Sequence, residues 1–238
     1  MLLSAAAGSQ TQSHAHNPVF SVQNQAHREA QVYREAQVYR EAQTASYNNI
    51  KIAASPNWST VEQNLIAEHS RVRQNPQSYL PMLEGHLSRM DAQGNIPGGC
   101  GSNCTLLTQE GRPAVEEAIR FLRNQSPVGP VNASSAVARA AKAHARDQAH
   151  GAVGHTSSDG SSFSERLDSF GVKSAGVGEN IAYGPDTARQ VMMNLIIDDG
   201  VANRGHRTNI FAPNWTVAGA GCGPHATYGT VCVINYAT

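Results

Sequence analysis

The chain has 238 residues with 18 Lys and Arg against 18 Asp and Glu, a formal net charge of zero, so it lacks the basic field that holds a phosphate backbone and nucleic acid is not an expected partner. Hydrophobic residues make up 40% and charged residues 15%, enough apolar material for a core and too little charge for a mostly disordered chain. No stretch reaches the roughly 18 to 20 unbroken apolar residues of a membrane span, since even the run at residues 191–197 is interrupted by Asn194.

The first residues, MLLSAAAG, contain no Lys or Arg and turn polar at Ser9. A signal peptide needs a basic n-region and roughly 7 to 15 apolar residues, so this is at best an incomplete one. Residues 28–43 read REAQVY, REAQVY, REAQ. A period of six turns each Val-Tyr pair by about 120° from the last on a helix, and no single apolar stripe results. With its Gln-, Ala- and Ser-rich flanks, segment 1–57 is expected to be a low-complexity arm, and residues 58–238 the folded domain.

Within that domain Ser59 and Glu62 have capping-box spacing, and Val61, Leu65, His69 and Val72 then share one helical face that ends before Pro76. A second helix is expected from Pro113, burying Val115, Ala118, Ile119 and Leu122. Ser134 or Ser135 caps a third, alanine-rich helix with Val137, Ala141, His144 and Gln148 along one stripe, whose small side chains allow close packing on a sheet. His69 and His144 read as satisfied core residues. Asp186 caps a fourth helix that Gly200 stops. There Asp198 and Asp199 each continue an apolar stripe, so either one carboxylate points inward and needs a partner, or both sit at a solvated helix end. The closing segment, residues 215–237, alternates small or apolar residues with turn formers and reads as two antiparallel strands. Helices around a short antiparallel sheet make an α+β layered domain.

Four cysteines, Cys100 with Cys104 and Cys222 with Cys232, are expected to form two local disulfides, the second across a hairpin. A zinc site is the competing reading, but neither pair has CxxC spacing. Asn57, Asn103, Asn124, Asn132 and Asn214 open glycosylation sequons. Disulfides and sequons together point to a secreted or extracellular glycoprotein.

Three strings occur in order before the closing strands: GHTSSDGSS at 154–162, GENIAYG at 178–184 and IIDDGVANRGHRTNIF at 196–211. With AEHSRVRQNP at 67–76, they resemble the CAP superfamily, also called the SCP domain family, of cysteine-rich secretory proteins, antigen 5 and pathogenesis-related 1 proteins. GHRTNIF is similar to the bacterial and protist branch. The resemblance implies a three-layer α/β/α sandwich with a short, mainly antiparallel sheet and a shallow cleft holding two histidines and two acids. Carried over by motif, these are His155, Glu179, His206 and Asp198, the last standing where the family has Glu, with Leu195 in place of a tryptophan; Asp199 is the rival.

Two neutral imidazoles, with water and a carboxylate as further ligands, suit Zn²⁺ or another divalent cation in an open site, so His155, Glu179, Asp198 and His206 are the expected metal residues, the carboxylates either ligating or orienting the rings. Occupancy then falls as pH drops through the ordinary histidine range near about 6.5. The alternative is a His-acid network that only fixes the cleft loops. No nucleotide motif, GxSxG elbow or HExxH helix is present. A metal-dependent or serine-type hydrolase, with Ser157 or Ser158 as nucleophile, is therefore the runner-up to a non-enzymatic binding module. The resemblance further implies a sterol, another lipid or an extracellular protein as partner, and an adhesive role for the arm is the third reading.

Overall fold

The computed structural model describes residues 56–99 and 104–238. The REAQVY arm and Cys100 lie outside the described residues. In chain order the elements are α1 (Trp58–Gln74), a 3-10 turn (Pro76–Tyr79), α2 (Leu80–Ser88), β1 (Ile96–Pro97), β2 (Thr105–Leu106), α3 (Arg112–Asn124), β3 (Asn132–Ala133), α4 (Ser135–Asp147), a second 3-10 turn (Gln148–His150), α5 (Phe163–Ser169), β4 (Val177–Tyr183), α6 (Ala188–Ile197), α7 (Gly205–Phe211), β5 (Val217–His225) and β6 (Gly229–Ala237). β1 and β2 form a small antiparallel pair, and the main sheet has the order β3-β5-β6-β4. Only the two-residue β3–β5 pairing is parallel.

The period of two in β5 explains the layering. Gly219 and Gly221 face α4, where an added Cβ would fall 2.2 Å from the backbone nitrogen of Ala138 and of Lys142 respectively. Only glycine lets the buried Ala140, Ala141 and Ala145 of α4 lie so near the strand. Ala218, Ala220 and Cys222 alternate to the opposite face, where they join a core with Leu65 and Val72 of α1, Ala118 and Leu122 of α3, and Val191 and Ile196 of α6. Helices thus cover both faces, and the domain is an α/β/α sandwich.

The two most periodic helices match the sequence reading. Val115, Ala118, Ile119 and Leu122 are all buried on α3, as are Val137, Ala141, His144 and, just beyond α4, Gln148. Ser134 caps α4 by accepting from the amide of Val137 at 3.4 Å. The Ser59–Glu62 capping box does not form. Asn57 is the cap, accepting from the amide of Thr60, so Ser59 lies inside the first turn. Glu62 instead faces the core, where it accepts from the amide of Cys222 at 3.1 Å and pairs with Lys142 at 2.6 Å. Thr187, not Asp186, caps α6. That helix ends before Gly200, because Asp198 itself adopts the left-handed conformation at φ 59°, which Asp tolerates better than most side chains.

Two buried arginines close helix ends whose carbonyls have no intrahelical partner. Arg73 donates to Ile210 O and Ala212 O, both at 2.7 Å, at the end of α7, and to Gly129 O at 2.6 Å. Arg207 donates to Ile196 O at 2.6 Å and Ile197 O at 3.1 Å, at the end of α6. His144 is satisfied at Nε2, through Gly154 O and Gln148, while its buried Nδ1 has no hydrogen bond. His69 is not: it is fully buried, tilts against Tyr236 at 5.2 Å between ring centroids, and neither ring nitrogen has a hydrogen-bond partner.

Cys222 and Cys232 stand directly opposite each other on β5 and β6 and are joined by a disulfide. Cys104 is also disulfide-bonded. Among the described residues no helix is long and apolar enough to cross a membrane.

Candidate functional site

His155 follows the turn after α4, on a loop that the protein moors with uncharged groups. Gly154 N donates to Tyr183 Oη at 2.9 Å, Tyr183 Oη donates to Gln148 Oε1 at 3.0 Å, and Gln148 Nε2 returns to Gly154 O at 2.5 Å. His144 Nε2 lies 2.9 Å from that carbonyl and 2.9 Å from Gln148 Nε2. Burial pushes the His144 imidazole below its ordinary pKa and keeps it neutral. Next door, His155 Nδ1 is 2.9 Å from Glu179 Oε1. A carboxylate can only accept, so the ring donates, and in the neutral imidazole the lone pair then lies on Nε2. The Glu179 side chain is fully buried while that of His155 is 49% exposed, so the acid is inside and the ring reaches solvent.

Glu179 is held from its other side by Arg166, whose Nη2 donates to Oε2 at 2.5 Å and whose Nη1 donates to Ser157 Oγ at 2.5 Å. Arg166 comes from α5, which Ser162 and Glu165 open with a reciprocal capping box. That S-x-x-E spacing was a readable signal for α5, and Arg166 one position later was missed.

The second pair is built from α6 and α7. The left-handed turn at Asp198 sends its carboxylate inward, where Oδ1 accepts from His206 Nδ1 at 2.6 Å and Oδ2 from the amide of Arg207 at 3.1 Å. Asp198 is fully buried at its side chain and His206 is 24% exposed. The choice between the two aspartates is thereby made. Asp199 does a different job, accepting from the amides of Gln109 at 2.7 Å and Glu110 at 2.8 Å and so tying the loop to the start of α3. Arg204, also left-handed at φ 50°, forks onto Glu110 at 2.5 and 2.6 Å and reaches Glu117 at 2.7 Å.

The two pairs meet at one step of β4. Asn209 of α7 donates to Glu179 O at 3.3 Å and to Asn180 Oδ1 at 2.9 Å, and Asn180 Nδ2 donates to His206 O at 3.0 Å. Both asparagines lie within the recognised strings, but nothing in their spacing announces that they bridge them. Among the described residues no three His, Cys, Asp or Glu side chains gather into a group that could hold a metal ion. The four residues thus form two histidine–carboxylate pairs, with each acid occupied by its own ring, rather than a four-ligand cage.

Neither proposed nucleophile is paired with an imidazole. Ser157 Oγ accepts from Arg166, and Ser158 Oγ and its amide donate to Asp147. Those hydrogen bonds from Ser158 hold the Asp147 carboxyl below the usual range.

Among solved structures, the chain is similar to an extracellular protein with an SCP domain from Bacillus anthracis, at 20% identity over 55% of this chain and 39% of that one, TM-score 0.40. An outer surface protein of Borrelia burgdorferi matches at 12% identity over 47% and 79%, TM-score 0.40. A cysteine-rich secretory protein of Staphylococcus aureus matches at 13% identity over 53% and 37%, TM-score 0.36. The chain therefore spans well under half the length of the first and third of these. No curated protein matches it. The model of the CAP, or cysteine-rich secretory protein, family matches residues 117–236, about half the sequence and the part that carries all four site residues, and the chain belongs to that family.

Proposed function

We propose that this is an extracellular, non-enzymatic binding module whose cleft takes a divalent cation, with zinc the first choice, through Nε2 of His155 and Nε2 of His206. One observation carries the reading: each imidazole gives its Nδ1–H to a fully buried carboxylate, while the ring itself reaches solvent. A carboxylate that fixes the tautomer and raises the basicity of the free nitrogen is how ligating histidines are usually prepared. Two imidazoles leave the remaining positions to water or to a partner's own donor, so the site is open and weak rather than structural. Glu179 and Asp198 orient the rings and do not themselves ligate.

Zinc titration of the wild type, followed by calorimetry, tests this. Binding is expected, and is expected to vanish with His155→Ala or His206→Ala. Glu179→Gln and Asp198→Asn should weaken it by about 10- to 100-fold. Acid should release the metal, since protonated imidazole does not ligate. A wild type that binds no zinc, or a His206→Ala variant that binds it unchanged, overturns the proposal. Sterol or other lipid binding is the second part of the proposal and follows from family membership alone; binding assays with sterol and fatty acid decide it. Hydrolysis is the weaker alternative, because Ser157 and Ser158 are engaged by Arg166 and Asp147 and neither is bonded to a histidine. An esterase and peptidase screen without turnover is the expected result.

A further inference from the structure

Asn235 of β6 is fully buried, and neither its Nδ2 nor its Oδ1 has a hydrogen-bond partner among the described protein groups. An amide can donate twice and accept twice, so this is a concentrated demand on its surroundings. Register says where the side chain points. Asn235 pairs with Glu179 of β4 on one side and with Gly219 of β5 on the other, and residues directly opposite in an antiparallel ladder share a face. Val233 and Ala237, two positions away in either direction, pack against Ala141, Ala145, Val137, Ala140 and Leu167, so that face is the one beneath α4 and α5. Gly219 offers no side chain, and the α4 backbone already fills the place where its Cβ would be. Glu179, directly opposite on β4, shares this face with Asn235.

The groups around Glu179 have unmet capacity of their own. Arg166 uses both Nη atoms on Glu179 and Ser157, and its buried Nε has no partner. His144 Nδ1 is likewise buried without a hydrogen bond, but it faces Asp147 Oδ2 at 4.0 Å. Asn235 Nδ2 and Arg166 Nε are donors and Asn235 Oδ1 is an acceptor. Donors and an acceptor together in an enclosed place match a water molecule, which both donates and accepts, and match neither a cation nor an anion.

We propose that Asn235 is a positioning residue for Glu179, acting through an internal water held between the sheet and α4/α5 that completes the hydrogen bonding of Arg166. The chain of contacts runs from Asn235 through the water to Arg166, from Arg166 to Glu179 Oε2, and from Glu179 Oε1 to His155.

A crystal structure of the full chain at about 1.5 Å or better decides the first half. A water within hydrogen-bond distance of Asn235 and of Arg166 Nε is expected, and clear density with no water there overturns the proposal, whatever the variants do. The second half uses Asn235→Leu, similar in volume and without hydrogen-bonding groups, beside Val233→Ala as a packing control on the same face. In Asn235→Leu the water is expected to be lost, the Arg166–Glu179 contact to lengthen, and zinc affinity to fall about 10-fold, while Val233→Ala lowers stability and leaves the contact and the affinity alone. An Asn235→Leu structure with the contact unchanged overturns the positioning role. The affinity measurement rests on the zinc reading of the cleft; should the wild type bind no zinc, that reading fails by itself and the two crystal structures still decide this one.

Discussion

His155 rides on a loop whose preceding Gly154 is moored by uncharged groups, with Arg166 and Asp147 holding Ser157 and Ser158 beyond it, whereas His206 rides on one tied down by ions. Around His155 the fastenings are Tyr183, Gln148 and neutral His144, all acting on the backbone of Gly154. Around His206 they are Asp199 on two amides of the 109–110 segment and Arg204 on Glu110 and Glu117. The carboxylates differ in the reverse sense. Glu179 answers a buried guanidinium, and Asp198 answers a backbone amide and a ring that reaches water. The same chemical unit is thus built twice on a fully buried carboxylate, once backed by a buried guanidinium and once by a backbone amide. Salt and acid should act more on the loop of the second pair, and truncation of the acid should tell most on the first.

The largest effect should come from Glu179→Leu. It leaves Arg166, whose side chain is 5% exposed, without a carboxylate, and breaking a buried pair from one side costs about 3–5 kcal/mol. Asp198→Ala should cost about 1–3 kcal/mol, because the Arg207 amide is stranded in the interior and alanine takes the left-handed turn less readily than Asp, while His206 can turn to solvent. Urea denaturation of both variants checks the order. Equal costs, or Asp198→Ala costing more, would mean that the two carboxylates are not held in opposite ways.

Comparing the pairs by acid titration requires first removing a contribution that belongs to neither. Burial, and secondarily the positive charge of Arg73, lowers the His69 pKa from 6.5 to about 3. The unfolded chain therefore takes up a proton below about 6.5 that the folded protein refuses until about 3, so stability falls with pH across that window and is unaffected above it. From pH 7 to pH 5 the loss should be roughly 2 kcal/mol, at about 1.4 kcal/mol per unit below the unfolded value. Replacing His69 by Phe, which keeps a ring against Tyr236, should flatten the profile. An unchanged slope in His69→Phe would place the acid sensitivity elsewhere.

How much of this was legible in the sequence varies with the range of the forces involved. α3, α4 and the β5–β6 hairpin were readable because their apolar stripes and cysteine spacing are local. Glu62 looked like a cap, since Ser-x-x-Glu is a local pattern, but its partner, the Cys222 amide, lies 160 positions on. The seven-residue α7 has too few apolar positions to show a period, and Arg73, which holds its end, is 137 residues away from Ile210. The motifs name His155, Glu179, Asp198 and His206, but their pairing is not legible there. Whether Asp198 or Asp199 turns inward depends on one left-handed residue at the end of α6, and both aspartates continue apolar stripes equally well.

The smallest effect is the one that isolates the ionic loop. Arg204 hydrogen bonds hold the Glu110 carboxyl below the usual range, so the clamp's contribution is present at neutral pH and is lost only as pH falls through that depressed value, below about 4.5. Glu110 is 35% exposed and Arg204 18%, and solvent screening limits Glu110→Gln to about 1 kcal/mol or less. Global stability will barely register it, whereas local opening will. Hydrogen exchange at the amides of residues 199–206 should speed up in Glu110→Gln, and also in wild type at 1 M salt, where the screening length is only about 3 Å. Amides of residues 151–155 should be indifferent to Glu110→Gln and respond less to salt, because the groups that hold Gly154 carry no charge and the charged contacts of this loop lie beyond it, at Ser157 and Ser158. If salt loosens the two loops alike, the ions around Arg204 are not what fixes His206, and the Asp198 turn alone must orient the ring.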